Sequence, residues 1–219
     1  MLTIYGVTRS RASRIIWLCH EIGLPFRQIP VIQAYRLADP DAANAPQNTH
    51  SPSFLKLAPA GAIPVIDDDG LILSESMACN LHLARKHGQP FGPADAAEDA
   101  LITQWSFYAS AAIETDALTL LFLYRPGKLL SDADRSSVEA AAERLIRPLN
   151  VVSDHLAANG HMVGRRFTVA DINMAEVIRY AQSYEPLMSR FPALIDWLTD
   201  CQSRPAFRKM WEARLAEPE

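Results

Sequence analysis

Residues 61–76 read GAIPVIDDDGLILSES and form the most informative segment of the chain. Two short apolar runs flank an acidic turn. The turn ends in Asp69-Gly70, a pair that tolerates the positive φ angles of a tight hairpin. A helix is predicted to begin near Ser74-Glu75-Ser76 and to stop at Gly88. The segment therefore predicts two antiparallel strands followed by a helix.

Pro64 precedes the first of these strands, and a proline at the start of a strand has no N–H to donate to the ladder. We expect the chain to bend there and to leave the main chain of Ile63 unpaired, where an extended ligand backbone can bind. The helix start at Ser76 offers N–H groups to a carboxylate, and Glu75 offers a negative partner to an ammonium group. The pattern suits a zwitterionic peptide, although a hairpin and a capped helix without a ligand explain it equally well.

The composition of the chain excludes several classes of function. A net charge of −4 and a pI near 5.9 argue against a nucleic-acid partner. The three cysteines, Cys19, Cys79 and Cys201, form no C-x-x-C motif, and His82 and His87 lack partners at ligand spacing and are expected at the surface. We therefore predict no metal. A sparse, odd cysteine count, no signal-peptide pattern and no apolar run of membrane length predict a soluble, cytoplasmic protein without a membrane partner.

The segments before the hairpin complete one domain. They are interpreted as a strand, a helix, a second strand, a long loop and a short helix, at residues 2–5, 12–22, 26–31, 33–50 and 54–57. With the hairpin and its helix, the order is β-α-β-α-β-β-α, which predicts a thioredoxin-like domain with a mixed four-stranded sheet over residues 1–87.

The second half of the chain is helical by its periodicity. Residues 88–95 are rich in Gly and Pro and are interpreted as a linker. Residues 96–219 are predicted to form an all-helical domain, so the fold class is α/β plus all-α. Its first helix should break near Pro126, and its second should run over residues 132–159, where Pro148 is expected to kink or split it.

Two helix starts in this half carry local capping signals. Asp95 and Glu98 have the spacing of a capping box. Thr168 is expected to cap a further helix with Asp171 at its third position. Both signals predict helix starts and carry no chemistry of their own.

Three separated motifs resemble the cytosolic glutathione S-transferase family. The hairpin segment, from Pro64 to the pair Glu75-Ser76, resembles the glutathione-binding core of that family. The Thr-x-x-Asp box at residues 168–171 and the run at residues 191–207 resemble its helical domain. The motifs keep the order and spacing of the family over nearly the whole chain.

The resemblance implies glutathione as co-substrate and assigns residues to it. The bond before Pro64 should be cis, and the main chain of Ile63 should pair with the cysteinyl part of glutathione. Glu75 and Ser76 should hold the γ-glutamyl end, and His50 is placed to reach the glycyl carboxylate.

Other assignments are less specific. Arg11 and Arg14 either bind a carboxylate or are solvated charges at a helix start. Ala62 replaces a polar residue that the family often has two positions before the proline. Tyr108 and Ala111, on the first long helix, are expected to line the site of the electrophile between the two domains.

The hydroxyl that activates the thiol must lie at the end of the first strand or the start of the first helix. Tyr5, Thr8, Ser10 and Ser13 meet this condition. Resemblance to serine-type, bacterial zeta-, theta- or delta-like members favours Ser10, with Arg14 as the matching arginine. Tyr5 occupies the position of the catalytic tyrosine in other classes, and Ser13 is interpreted as a helix N-cap. Ser10 and Tyr5 both stay open as catalytic residues.

The predicted function is transfer of the glutathione thiolate to small hydrophobic electrophiles, or a related glutathione-dependent isomerase, peroxidase or dehalogenase reaction. A non-catalytic binding or assembly module is the alternative. A disulfide reductase would need a cysteine in the first loop, and that loop has none. The resemblance also implies a homodimer.

Overall fold

A computed structural model describes residues 1–127 and 129–217. Its contacts divide the chain into two units. The first unit is Met1–Gln89 together with the segment from Pro205 onward, and the second unit is Pro90–Arg204. The sequence predicts residues 205–219 within the helical domain. The contacts instead group the segment from Pro205 onward with the first unit.

Within the described part of the chain, the first unit contains a mixed four-stranded sheet, as predicted, and its strand order is β2-β1-β3-β4. The strands are β1 (Leu2–Tyr5), β2 (Phe26–Ile29), β3 (Val65–Asp68) and β4 (Leu71–Ser74). β1 is parallel to β2 and antiparallel to β3, and β3 forms a hairpin with β4. Asp69 and Gly70 make the hairpin turn with φ angles of 55° and 95°.

The helices around this sheet are α1 (Ser13–Ile22), α2 (Pro52–Leu57), α3 (Ser76–His87) and, at the far end of the sequence, α10 (Pro205–Ala216). α1 contacts both α3 and α10. The indole of Trp17 meets the ring of Phe207 edge-on at 4.9 Å between centroids. Because Trp17 is fully buried, α10 completes the core of the first unit.

The long loop at residues 33–50 is more ordered than its sequence indicated. Ala34–Arg36 forms one turn of 3-10 helix. The buried amide of Asn48 donates to the carbonyl oxygens of Pro40 and Pro46, at 2.8 and 3.0 Å. These contacts join residues of the loop to one another. Because they follow no helical or strand period, the sequence gives no signal for them.

The second unit is helical, as predicted. Its helices are α4 (Ala96–Tyr108), α5 (Glu114–Leu123), α6 (Asp132–Asn159), α7 (Val169–Ile178), α8 (Glu185–Met188) and α9 (Pro192–Ser203). A π-helical turn, Ala109–Ile113, connects α4 to α5. In residues 1–127 and 129–217, every helix is too short or too polar to span a bilayer.

Pro148 lies inside α6, which continues through it without interruption. Of the two predicted outcomes, a split is therefore wrong, and a kink stays a prediction. A proline removes one backbone hydrogen bond, but packing stabilises a long helix more than any single bond does. Leu145, Leu149 and Val152 are fully buried on either side of Pro148, so the packed face holds the helix together.

The predicted cap of α7 is present and has a wider role. Thr168 and Asp171 form the capping box. The buried carboxylate of Asp171 also accepts hydrogen bonds from the N–H of Met162 (3.0 Å) and from the indole N–H of Trp197 (3.1 Å). One carboxylate thus joins the start of α7 to the preceding loop and to α9.

His82 is less exposed than predicted, whereas His87 lies at the surface as expected. The imidazole Nε2 of His82 is 2.7 Å from the buried carboxylate of Asp68, and Lys86 Nζ donates to the same oxygen at 2.8 Å. Burial raises the pKa of Asp68, but the hydrogen bonds from Lys86 and His82 outweigh it and hold this pKa below its ordinary value. The cluster ties the end of β3 to α3.

α4 begins at the predicted N-cap, Asp95, but the reciprocal bond of a capping box is replaced by one from Ala94. The N–H of Glu98 donates to the Asp95 carboxylate at 2.8 Å. The carboxylate of Glu98 accepts two hydrogen bonds from the guanidinium of Arg166, at 2.8 and 2.7 Å, and one from the N–H of Ala94 at 2.8 Å. These bonds, those from Arg166 first, lower the pKa of Glu98 to about 2.

Replacing Glu98 by Gln should destabilise the protein by about 1 kcal/mol at neutral pH. The folded pKa is below the ordinary value of 4.5, so this stabilisation is present above about pH 4.5 and is lost as the pH falls toward 2. Urea unfolding of the wild type and E98Q should therefore show a constant difference above about pH 5 that narrows below it. Glu139→Gln, on the exposed face of α6, is the matched control. An equal loss in E139Q would contradict the assignment.

Candidate active site

The turn before β3 leaves main-chain groups open to a ligand. The Ile63–Pro64 peptide bond is cis. Among the described residues, no hydrogen-bond partner is found for the main-chain N–H or C=O of Ile63. Gly6 has a φ of 145°, and a Cβ at this position would lie 3.4 Å from the Cβ of Ile63. The loop that follows β1 therefore passes directly beside Ile63.

The start of α3 presents further main-chain donors. Cys79 makes the first helical hydrogen bond, to the carbonyl of Glu75 at 2.9 Å. The N–H groups of Ser76, Met77 and Ala78 precede that bond, as the geometry of a helix start requires. Glu75 has a φ of 67°, a conformation that is uncommon for a residue with a side chain. Its carboxylate is exposed, whereas Ser76 is buried.

A buried arginine lies behind this helix start. Arg14 is 1% exposed, and its guanidinium donates to the hydroxyl of Ser76 at 3.0 Å. The amide of Asn80 donates to the main-chain carbonyl of Arg14 at 3.2 Å. Of the two alternatives left open for Arg14, a solvated charge is therefore wrong, and a carboxylate ligand stays a prediction. Only the tertiary contact between α1 and α3 reveals its position, which places a positive charge next to the donors at Ser76.

Ser10 lies in the turn Thr8–Ala12 that leads into α1. Its hydroxyl donates to the carbonyl of Val7 at 2.6 Å and accepts from the N–H of Ala12 at 3.0 Å. Ser13 was expected as the N-cap, but it is the first residue of α1, and its hydroxyl donates to the carbonyl of Ser10 at 3.0 Å. The predicted capping role of Ser13 was wrong, because Ser13 is itself the first residue of α1, and Ala12 occupies the N-cap position.

Tyr5 and Thr8 lie in different surroundings. Tyr5 packs, together with Ile63, against the hydrophobic cluster that includes Val31 and Phe54. Thr8 is buried, and its hydroxyl accepts from the side chain of Gln28 at 3.2 Å. Tyr5 and Ser10 are both half-buried, so the choice between them as thiol donor stays a prediction.

The remaining predicted residues are more scattered. Arg11 is exposed. His50 is also exposed, with its Nδ1 3.7 Å from the carboxylate of Asp41. In the second unit, Tyr108 is half-buried, and burial raises its pKa, with the charge of Arg147 acting in the opposite direction. Ala111 is exposed on the π-helical turn.

The cysteines offer no nucleophile near this site. All three lie in the described part of the chain, are buried and form no disulfide. Burial raises the pKa of the thiols of Cys19 and Cys79 to about 12, so neither is a thiolate near neutral pH. In residues 1–127 and 129–217, no group of three or more His, Cys, Asp or Glu is arranged to hold a metal ion.

Both halves of the chain match the same protein family. Residues 9–86 match the family model "Glutathione S-transferase, N-terminal domain", and residues 106–205 match "Glutathione S-transferase, C-terminal domain". Glutathione S-transferase 3 of Zea mays is 31% identical to this chain over 95% of it and 92% of that protein. The solved structure of glutathione S-transferase III in apo form is 30% identical, covers 100% of this chain and 99% of its own, and has a TM-score of 0.77.

A second kind of relative also matches. Elongation factor 1-gamma of Sus scrofa is 30% identical over 78% of this chain, but the match covers 39% of that protein. The same fold therefore occurs in a relative whose name indicates a different role. The fold class predicted from the sequence is confirmed by the architecture and by both family matches.

Replacing Arg14 by Met should destabilise the protein by about 1–3 kcal/mol, because a buried acceptor, the hydroxyl of Ser76, loses its donor. Arg27→Met, on the exposed side of β2, is the control and should change stability by less than about 0.5 kcal/mol. Urea unfolding at neutral pH measures both. Equal stability of R14M and the wild type would contradict a structural role for this hydrogen bond.

Proposed function

Because this chain belongs to the glutathione S-transferase family and is a glutathione transferase, we propose that Ser10 activates the thiol of bound glutathione for attack on small hydrophobic electrophiles. The observation that carries the proposal is the main chain of Ile63, which has no hydrogen-bond partner among the described residues. An extended tripeptide can form two main-chain hydrogen bonds there without displacing a protein group.

The ends of glutathione are assigned by charge. The γ-glutamyl carboxylate accepts from the N–H groups at Ser76, where the helix dipole and the buried guanidinium of Arg14 favour an anion. The γ-glutamyl ammonium group faces the exposed carboxylate of Glu75. His50 and Arg11, both exposed, are proposed for the glycyl carboxylate.

The thiol is activated when Ser10 donates its hydroxyl to the sulfur. A free cysteine thiol has a pKa near ~8.5, and lowering it to about 6.5 requires ~2.7 kcal/mol in favour of the thiolate. The hydroxyl now donates to the carbonyl of Val7 at 2.6 Å. Rotation toward the sulfur exchanges a neutral hydrogen bond for a charge-assisted one, which is roughly twice as strong. The thiol proton leaves to solvent.

The thiolate then attacks the electrophilic carbon. A carbon–sulfur bond forms, and either the bond to a leaving group breaks or a conjugated double bond accepts the electron pair and takes a proton from water. Tyr108 and Ala111 are proposed to contact the electrophile. A mostly apolar surface with one hydroxyl accepts varied hydrophobic substrates, and isomerisation, peroxide reduction and dehalogenation use the same thiolate.

The assembly and location of the protein are also proposals. A homodimer is proposed because it is typical of the glutathione S-transferase family. A cytoplasmic location is supported by three buried cysteines, all in the described part of the chain, that form no disulfide. The serine-type class, with zeta-, theta- or delta-like bacterial members, is supported by the position of Ser10.

A non-catalytic binding or assembly module is the second candidate. The similarity to elongation factor 1-gamma favours it. So does Ala62, which is exposed beside Ile63 and offers no polar side chain to a ligand. Such a module would bind glutathione weakly and leave the pKa of its thiol unchanged.

Replacing Ser10 by Ala should raise the pKa of the enzyme-bound glutathione thiol from about 6.5 toward ~8.5. The thiolate absorbance of the complex, followed against pH, measures this change. Tyr5→Phe should leave the pKa unchanged, and Ser53→Ala, at an exposed serine on α2, is the matched control.

Two other outcomes would change the assignment of the thiol donor or of the function. If only Y5F raises the pKa, Tyr5 is the donor and the assignment of Ser10 is wrong. If the wild type binds glutathione without lowering the pKa of its thiol, the protein is a binding module.

A further inference from the structure

The loop that carries Ser10 receives a carboxylate from the other end of the described chain. Glu217 lies just after α10, in the first unit. Its Oε1 accepts from the main-chain N–H of Thr8 at 2.6 Å, and its Oε2 accepts from the N–H of Arg9 at 2.7 Å. Both distances are typical of short charge-assisted hydrogen bonds. One carboxylate therefore holds two successive N–H groups of the loop.

Three more hydrogen bonds run between the same segments. Arg9 donates through Nε to the main-chain carbonyl of Glu217 (3.1 Å) and through Nη2 to that of Leu215 (3.4 Å). Arg214 donates through Nη1 to the carbonyl of Thr8 (2.8 Å). The two guanidinium groups also offset the negative charge of the carboxylate, so the net local charge does not oppose a nearby thiolate.

The helix that presents Glu217 is anchored. Phe207 meets Trp17 edge-on and stacks on Trp211 at 5.6 Å between centroids. The guanidinium of Arg214 lies 5.3 Å from the centre of the Trp211 ring. Because Trp17 is fully buried in the core of the first unit, α10 is a fixed support from which the carboxylate reaches the loop.

The loop depends on this support. The N–H groups of Thr8 and Arg9 stand at the start of a helical turn, where no helical carbonyl is available to them. The hydroxyl of Thr8 is held from the opposite side by Gln28 at 3.2 Å. Ser10 follows directly, and Gly6, at the other end of the loop, passes beside Ile63. Loss of the carboxylate frees the segment that sets the distance from Ser10 to a ligand on Ile63.

We propose that Glu217 is a positioning residue for thiol activation, acting through Ser10. The inference rests on the proposed function. Glu217 touches neither glutathione nor the electrophile. It fixes the main chain of Thr8 and Arg9, so that the hydroxyl of Ser10 can reach the sulfur without reordering the loop. A preorganised donor stabilises the thiolate more than a mobile one, because no free energy is spent on arranging it.

Glu217→Ala should raise the pKa of the bound glutathione thiol by about 1, from about 6.5 to about 7.5, and lower kcat/KM about threefold at pH 7, because the thiolate fraction falls from roughly three quarters to roughly one quarter. Glu217→Gln keeps one acceptor oxygen, so its thiol pKa and its kcat/KM should lie between those of the wild type and those of E217A. Glu212→Ala removes the same charge from an exposed position on α10 and is the matched control. Hydrogen exchange at Thr8 and Arg9 should be faster in E217A than in E212A.

The double variant identifies the route of the effect. In the Ser10→Ala background, Glu217→Ala should change the thiol pKa no further, because the donor it positions is absent. An additive effect, or an unchanged or lowered thiol pKa in E217A alone, overturns the inference. A wild type that does not lower the thiol pKa refutes the proposed function itself. A wild type that lowers it, with S10A but not E217A losing the effect, refutes the positioning role only.

Discussion

Pro64 is the constraint on which the first unit depends. A proline has no N–H, so the strand that follows it begins its ladder only at Val65, which pairs with Tyr5 on one side and with Ser74 on the other. Ile63 stands just outside the ladder and is half-buried. Polar main-chain groups without a partner in such a place are costly. A ligand that supplies the missing hydrogen bonds removes this cost. The turn that starts β3 is therefore also the proposed binding site.

A buried positive charge lies behind the start of α3, where the carboxylate of the ligand is proposed to bind. Arg14 is almost fully buried, and moving a guanidinium out of water costs several kcal/mol unless hydrogen bonds compensate, as a general estimate. Its bond to Ser76, at 3.0 Å, gives part of that compensation. The charge stands behind the first turn of α3, whose N–H groups already favour an anion. Because the cation is buried and fixed, solvent does not screen it and it need not move when a carboxylate binds.

The loop of Ser10 is held from several directions at once. Gln28 donates to the carbonyl of Gly6 (2.9 Å) and to the hydroxyl of Thr8, and Glu217 holds two N–H groups on the other side. The hydroxyl of Ser10 bonds to main-chain groups of the loop and of the helix start, and a hydroxyl can exchange its acceptor by a single rotation. A rigid main chain around one adjustable donor is an arrangement suited to selective stabilisation of a thiolate.

The sequence by itself determined the elements whose signals are local. The Asp69-Gly70 turn, the hairpin of β3 and β4 and the start of α7 at Thr168 follow from residues that lie within a few positions of one another. The roles of Arg14, Asp171 and Glu217 were decided only by the tertiary structure, as was the continuity of α6 through Pro148. Each depends on partners 26 to 209 positions away or on packing across a helix face. Local spacing cannot encode which side chain a folded chain will bring to a buried charge or to an open N–H group.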